Sequence, residues 1–245
     1  MEYWIFIILI LLCCAFAGSA SAKVHRTYNA MQSVPTKSHT TGRDTAVRLL
    51  RENDVTDIQV GRVNGVLSDH YHPTKKQVNL SAGVYGGDSV ASVAVAAHEI
   101  GHVMQRKKGY LPYKLRSVLV PITNIGSRLA FPLVLIGVLL ELYLSTTATS
   151  GSYSSAGFYL AIAGVALYGT ATLFALVTLP VELDASRRAK AMLLETGIIS
   201  EDELPYAEKM LSAAAQTYLA SLLVSLVYFL RFAWWVLRLF GRSRD

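Results

Sequence analysis

Apolar positions gather into four long blocks, and most polar positions into one segment between the first two blocks. Residues 3–22 and 156–179 carry no charged side chain, residues 119–144 carry only Arg128 and Glu141, and residues 211–230 carry none before Arg231. A hydrocarbon core about 30 Å thick is crossed by roughly 20 apolar residues of helix. Each block reaches that length, so the pattern predicts four transmembrane helices in a mainly α membrane protein. The chain divides into an anchor over 1–22, a polar domain over 23–117 and a helical hairpin over 118–180. A polar helical segment over 181–210 and a last helix with a basic tail over 211–245 follow.

The polar domain has its own periodicity. Residues 45–52 read as a short amphipathic helix with Ala46, Leu49 and Leu50 on one side. Residues 58–63 alternate like a strand, Asn64-Gly65 is a hairpin signal, and 66–71 reads as the return strand. A turn over 72–75, a third strand over 77–80 and an N-cap at Asp88-Ser89 lead into a helix over 90–104. The expected arrangement is α+β: helix, small antiparallel sheet, helix.

Composition agrees with the blocks. Of 245 residues, 52% are apolar and 16% charged, against about 25% charged in an ordinary soluble domain. Mean hydropathy is +0.37. These values exclude a disordered chain, a collagen and a disulfide scaffold. The two cysteines, Cys13 and Cys14, are adjacent in the first block; neighbours seldom bridge, and they read as small lipid-facing hydrophobes.

Charge orients the spans. Lys23 and Arg26 follow the first block, Lys107, Lys108, Lys114 and Arg116 precede the second, and Arg187, Arg188 and Lys190 follow the third. The linker 145–155 has no charge. Positive residues stay inside, so the polar domain and the 181–210 segment are expected on the cytoplasmic side. Arg238, Arg242 and Arg244 run against this for an even number of spans. With Arg231, they point to a chain end lying along an interface. Arg128 is expected to snorkel to the inner surface, and Glu141 to lie at the outer interface. Ala20-Ser21-Ala22 looks like a signal-peptidase site, but residues 1–4 carry no Lys or Arg, so the first block reads as a retained anchor. The net charge of +6 suits an anionic inner leaflet and calls for no nucleic acid.

The chemistry lies in the helix 90–104, in His98-Glu99-Ile100-Gly101-His102. Histidines four apart share a helical face, so both imidazoles can reach one Zn²⁺ at about 2 Å. Glu99 stands beside the first of them, placed to take a proton from a water that zinc acidifies. A catalytic zinc needs a third protein ligand and an open position. The remaining histidines, His25, His39, His70 and His72, all precede the motif; the third ligand is one of these or a carboxylate. Glu182 is the best carboxylate, because the hairpin returns the chain to the side that holds His98 and His102. Asp184 is the alternative. In Asp69-His70-Tyr71-His72, His70 or Tyr71 is a candidate donor to a tetrahedral oxyanion, and the strand a candidate to pair with an extended substrate. The competing reading is a strand with solvent-facing histidines. Arg187 is a candidate for a substrate carboxylate, against the plainer reading of an ion pair with lipid phosphate.

The stretch Ser92-Val93-Ala94-Val95-Ala96-Ala97-His98-Glu99-Ile100-Gly101-His102-Val103-Met104-Gln105 resembles the YugP-type membrane zinc metallopeptidases of bacteria. Gly65-Val66-Leu67-Ser68-Asp69-His70-Tyr71 with Pro73, Leu80-Ser81, Pro180-Val181-Glu182-Leu183-Asp184-Ala185-Ser186-Arg187-Arg188-Ala189, and Ala213-Ala214-Ala215 with Thr217-Tyr218 match the same family. The resemblance covers nearly the whole chain and implies a multi-pass membrane protein with a gluzincin-like site in a zincin-like domain. A looser likeness to HtpX-type and prenyl-protein membrane peptidases breaks at Ser186, where their ligand Glu is followed four residues on by an Asp that orients a histidine. Either that carboxylate is missing here or Asp184 supplies it.

The reading that follows is a zinc metalloendopeptidase acting on a peptide or membrane-protein substrate at the bilayer, with His98, His102 and Glu182 as ligands and Glu99 as base. A role in membrane-protein quality control follows by analogy only. The rival is a non-catalytic metal-binding scaffold or sensor, for which an intact Glu99 has no use.

Overall fold

The computed structural model describes residues 2–147 and 156–241. The uncharged linker 145–155 lies largely, and Arg242 and Arg244 wholly, outside the described residues. The chain forms α1 (Glu2–Gln32), α2 (Gly42–Glu52), β1 (Gln59–Val63), β2 (His70–His72), β3 (Gln77–Ser81), α3 (Ala82–Gly86), α4 (Val90–Lys107), α5 (Leu111–Thr147), α6 (Ala156–Glu195) and α7 (Leu204–Gly241).

Among the described residues, α1, α5, α6 and α7 are long and apolar enough to cross a membrane. Each runs beyond its apolar block. At 1.5 Å per residue a helix of 40 residues is roughly 60 Å long, about twice a hydrocarbon core. The surplus turns continue as walls of the polar part, and two compact units result. One comprises Met1–Phe16, Leu115–Thr178 and Ala220–Asp245; the other comprises Ala17–Lys114 and Leu179–Leu219.

In the apolar unit, α5 and α6 touch through small residues. A Cβ on Gly164 would meet the Ala130 carbonyl oxygen at 2.6 Å, so only glycine permits that approach. Val134, Ala161, Val165, Val236 and Phe240 form its core. Arg231 lies 4.9 Å over the Trp234 ring and 5.0 Å over Phe6, and Arg238 also covers Trp234, a contact that compensates a cation for lost water. Cys13 and Cys14 are unbridged.

The polar unit is built around α4, which is buried over most of its length. Thr41 caps α2 by accepting from the Asp44 N–H, and Ser89 caps α4 by accepting from the Ser92 N–H. Ala46, Leu49, Val78, Leu80, Val84, Ile100 and Leu193 are fully buried in one core.

The sheet corrects the expected one. Its order is β1-β3-β2, with β1 parallel and β2 antiparallel to β3. The chain therefore does not turn back on β1 at Asn64-Gly65. It passes over, bent by Gly65 (φ +106°) and Leu67 (φ +53°), and reaches the far edge as β2. The reason is burial. Val78 and Leu80 are fully buried, so β3 takes the centre, while the short, polar β2 takes the edge. The hairpin that does form joins β2 to β3 through the predicted turn after His72. The five-residue α3, unanticipated, links β3 to α4.

Candidate metal centre

Gly101 brings α4 against α6. A Cβ there would stand 2.5 Å from the Ala185 carbonyl oxygen, so any larger residue would push the two helices apart. The turn of α6 after Pro180 then faces the histidines. Glu182, 2% exposed, places Oε2 3.1 Å from His98 Nε2 and 3.5 Å from His102 Nε2. Ligand atoms of all three residues lie within 4.8 Å of one another, and among the described residues no other such group is found.

The donor set fits zinc. With bonds of 2.0–2.1 Å, the edge of a ligand tetrahedron is about 3.3 Å, and the separations of 3.1 and 3.5 Å bracket it. The imidazole rings meet edge to face with centroids 4.8 Å apart, so they converge without stacking. Two imidazoles and a carboxylate are the set expected of a zinc site with an open fourth position.

The other sequence candidates go elsewhere. Asp184 accepts from Arg188 Nε at 2.6 Å, from Gln105 Nε2 at 3.0 Å and from Arg187; its oxygens are engaged away from the histidine pair. Arg187 thus pairs with Asp184 while its side chain stays 75% exposed. His70 contacts the Ser68 carbonyl and Asn79. The Tyr71 phenol accepts from Arg106 Nη1 at 3.1 Å. His39 contacts Asp88, His72 accepts from the Lys75 N–H, and His25 is exposed.

Glu99 is buried and lines a cleft of about 230 Å³ together with His98 and Asp69. The other walls are mainly apolar: Val24 of α1, Leu67, Val95, and Met210, Leu211, Ala214, Thr217 and Tyr218 of α7. The backbone of Tyr71 in the edge strand approaches the Glu99 carboxylate closely enough to favour its charged form. Burial pushes the Glu99 carboxyl up to about 7, with the charges of Glu182 and Asp69 adding to the rise and His98 opposing it.

That shift has a stability consequence for the metal-free protein. Between about pH 4.5 and 7 the folded state holds a proton that the unfolded chain has released, so stability falls as pH rises through this window. Over 2.5 units the loss is at most about 3 kcal/mol. Metal-free Glu99→Gln should match wild type at pH 4.5 and exceed it at pH 8 in denaturant unfolding. Parallel curves at both pH values would refute the burial argument.

Sequence reasoning passed over Gln105, whose Oε1 lies 3.0 Å from His102 Nδ1; its spacing, three after His102 on the same helical face, was the available signal. Ser186, which stands where the looser relatives carry a histidine-orienting Asp, contacts His98 Nδ1 at 3.1 Å. Tyr218 and the α7 wall had no signal beyond the family match.

A family model described as "putative neutral zinc metallopeptidase" matches residues 3–237, nearly the whole chain and every residue of the cluster. The chain belongs to this zinc metallopeptidase family. It is also 39% identical over 228 residues to "Putative membrane protease YugP" of Bacillus subtilis (strain 168), covering 93% of this chain and 95% of that relative. No solved structure matches. Zinc is thus the metal the family implies, and His98, His102 and Glu182 are the residues whose geometry suits it.

Proposed function

We propose that this chain is a multi-pass, zinc-dependent endopeptidase of the gluzincin type. It cuts membrane-associated polypeptides at the cytoplasmic face of the bacterial inner membrane. The observation that carries the reading is that Glu99 and His98 border one cleft while His98, His102 and Glu182 converge beside it. When bound, zinc supplies a Lewis acid that polarises a carbonyl and acidifies water. Glu99 takes the proton of the attacking water and hands it to the departing amine. The backbone of β2 at Tyr71 approaches Glu99, and an extended substrate pairing with this edge strand would present its carbonyl to the site.

The substrate class follows from the walls. Val24, Val95, Met210, Leu211 and Ala214 favour an apolar side chain next to the scissile bond. Two of the wall helices, α1 and α7, are also candidate spans. A segment emerging from the bilayer is therefore the natural occupant, and membrane-protein turnover the natural role. The cytoplasmic side is supported by the lysines and arginines flanking the spans.

The test is hydrolysis by the full chain in lipid nanodiscs. The substrate is a single-span membrane protein with an apolar segment beside the bilayer. Cleavage should stop on removal of zinc by a chelator and return on adding zinc back. A fully zinc-loaded protein that cuts neither this substrate nor an unfolded soluble protein would sink the proposal.

A further inference from the structure

Gln105 is a neutral polar side chain that contacts both α6 and His102, and it is completely buried. Its Nε2 donates to the Val181 carbonyl oxygen at 2.7 Å and to Asp184 Oδ2 at 3.0 Å. Its Oε1 lies 3.0 Å from His102 Nδ1. Val181 O and the Asp184 carboxylate are both acceptors, and Asp184 is itself held by Arg187 and Arg188. Turning the amide over would set its carbonyl oxygen against two acceptors and its NH₂ against the ring. At a completely buried position each such mismatch is costly. The amide therefore has one orientation. An oxygen that can only accept faces His102 Nδ1, so Nδ1 must carry a proton, and Nε2 is the nitrogen left for a metal.

We propose that Gln105 is a positioning residue that fixes His102 in its Nδ1–H form, aims Nε2 at Glu182, and links zinc affinity to Asp184. Asp184 is thereby the carboxylate that orients a ligand histidine, acting through an amide. The inference rests on the zinc-site reading of His98, His102 and Glu182. The lock is economical in position: Val181 and Asp184 flank Glu182 on one turn of α6, so the turn that carries one ligand also orients another. His98 is held differently. Its Nδ1 contacts the Ser186 hydroxyl, which can donate or accept and so dictates no tautomer. The two histidines are thus unequal, and Gln105 is the more consequential support.

The test uses the full chain in detergent, loaded with zinc against a chromophoric competing chelator. Gln105→Met keeps the length and volume of the side chain but cannot accept from the ring. It should raise the zinc Kd about 10- to 100-fold, the usual cost of losing a ligand's supporting partner. Ser186→Ala should raise it less. Histidine ¹⁵N spectra of the zinc-bound wild type give a readout independent of any variant's folding, and should show His102 protonated at Nδ1 and metal-bound at Nε2. Zinc bound through Nδ1 of His102, or an unchanged Kd in Gln105→Met, would overturn the inference. A wild type that binds no zinc would instead overturn the site reading beneath it.

Discussion

Glu99→Gln should lose peptide hydrolysis by about 10²- to 10⁴-fold, the usual contribution of a positioned general base, and keep its zinc. The separation of the two effects is the informative part. Glu99 lies outside the converging group of His98, His102 and Glu182, so its removal takes away no ligand. Gln fills the same space in a buried site, so local packing is preserved. What it cannot do is hold a proton in transit. Single-turnover cleavage by wild type and variant, each with its zinc content measured, is the comparison to make. Equal rates at equal zinc would remove Glu99 from the role of base, and no cleavage by the zinc-loaded wild type would move the chain to the scaffold or sensor class.

Glu182→Ala should lose zinc itself. Two imidazoles would remain of a three-ligand set, and the buried carboxylate whose Oε2 lies within 3.5 Å of both ring nitrogens would be gone. Removing a partner that only supports a ligand costs about 10- to 100-fold in affinity, so the loss here should exceed 100-fold. Asp184→Ala is the matched control. Its carboxylate faces Arg188, Arg187 and Gln105, so its removal should fall in the supporting range and no further. Competition titrations of both variants order them; a larger loss in Asp184→Ala would exchange the two assignments.

The parts of the chain that were legible beforehand depend on local signals. The spans follow from uncharged blocks, and α4 follows from its Ser89 cap and apolar run. The histidine pair follows from helical spacing. The sheet order was not legible. Asn64-Gly65 is a strong local turn signal, but the burial of Val78 and Leu80 decides which strand lies in the middle, and that is a property of the packed unit. The alternatives Glu182 and Asp184 stand two residues apart on one helix, and only the facing side chains distinguish them. His98 and His102 fill the space before Glu182, and Arg188 with Gln105 fills that before Asp184. The role of Gln105 needs both helices at once, and no periodicity within α4 reveals what lies opposite it.

The close approach at Gly101 also sets an order in time. His98 and Glu182 are 84 positions apart, and the whole of α5 and most of α6 are made between them. At roughly 5–20 residues per second, a ribosome needs about 4–17 s to pass from one to the other. During that interval the growing chain carries a base and two histidines without their third partner. On the proposed reading, a nascent protease stays inert among its nascent neighbours until its own hairpin has been synthesised.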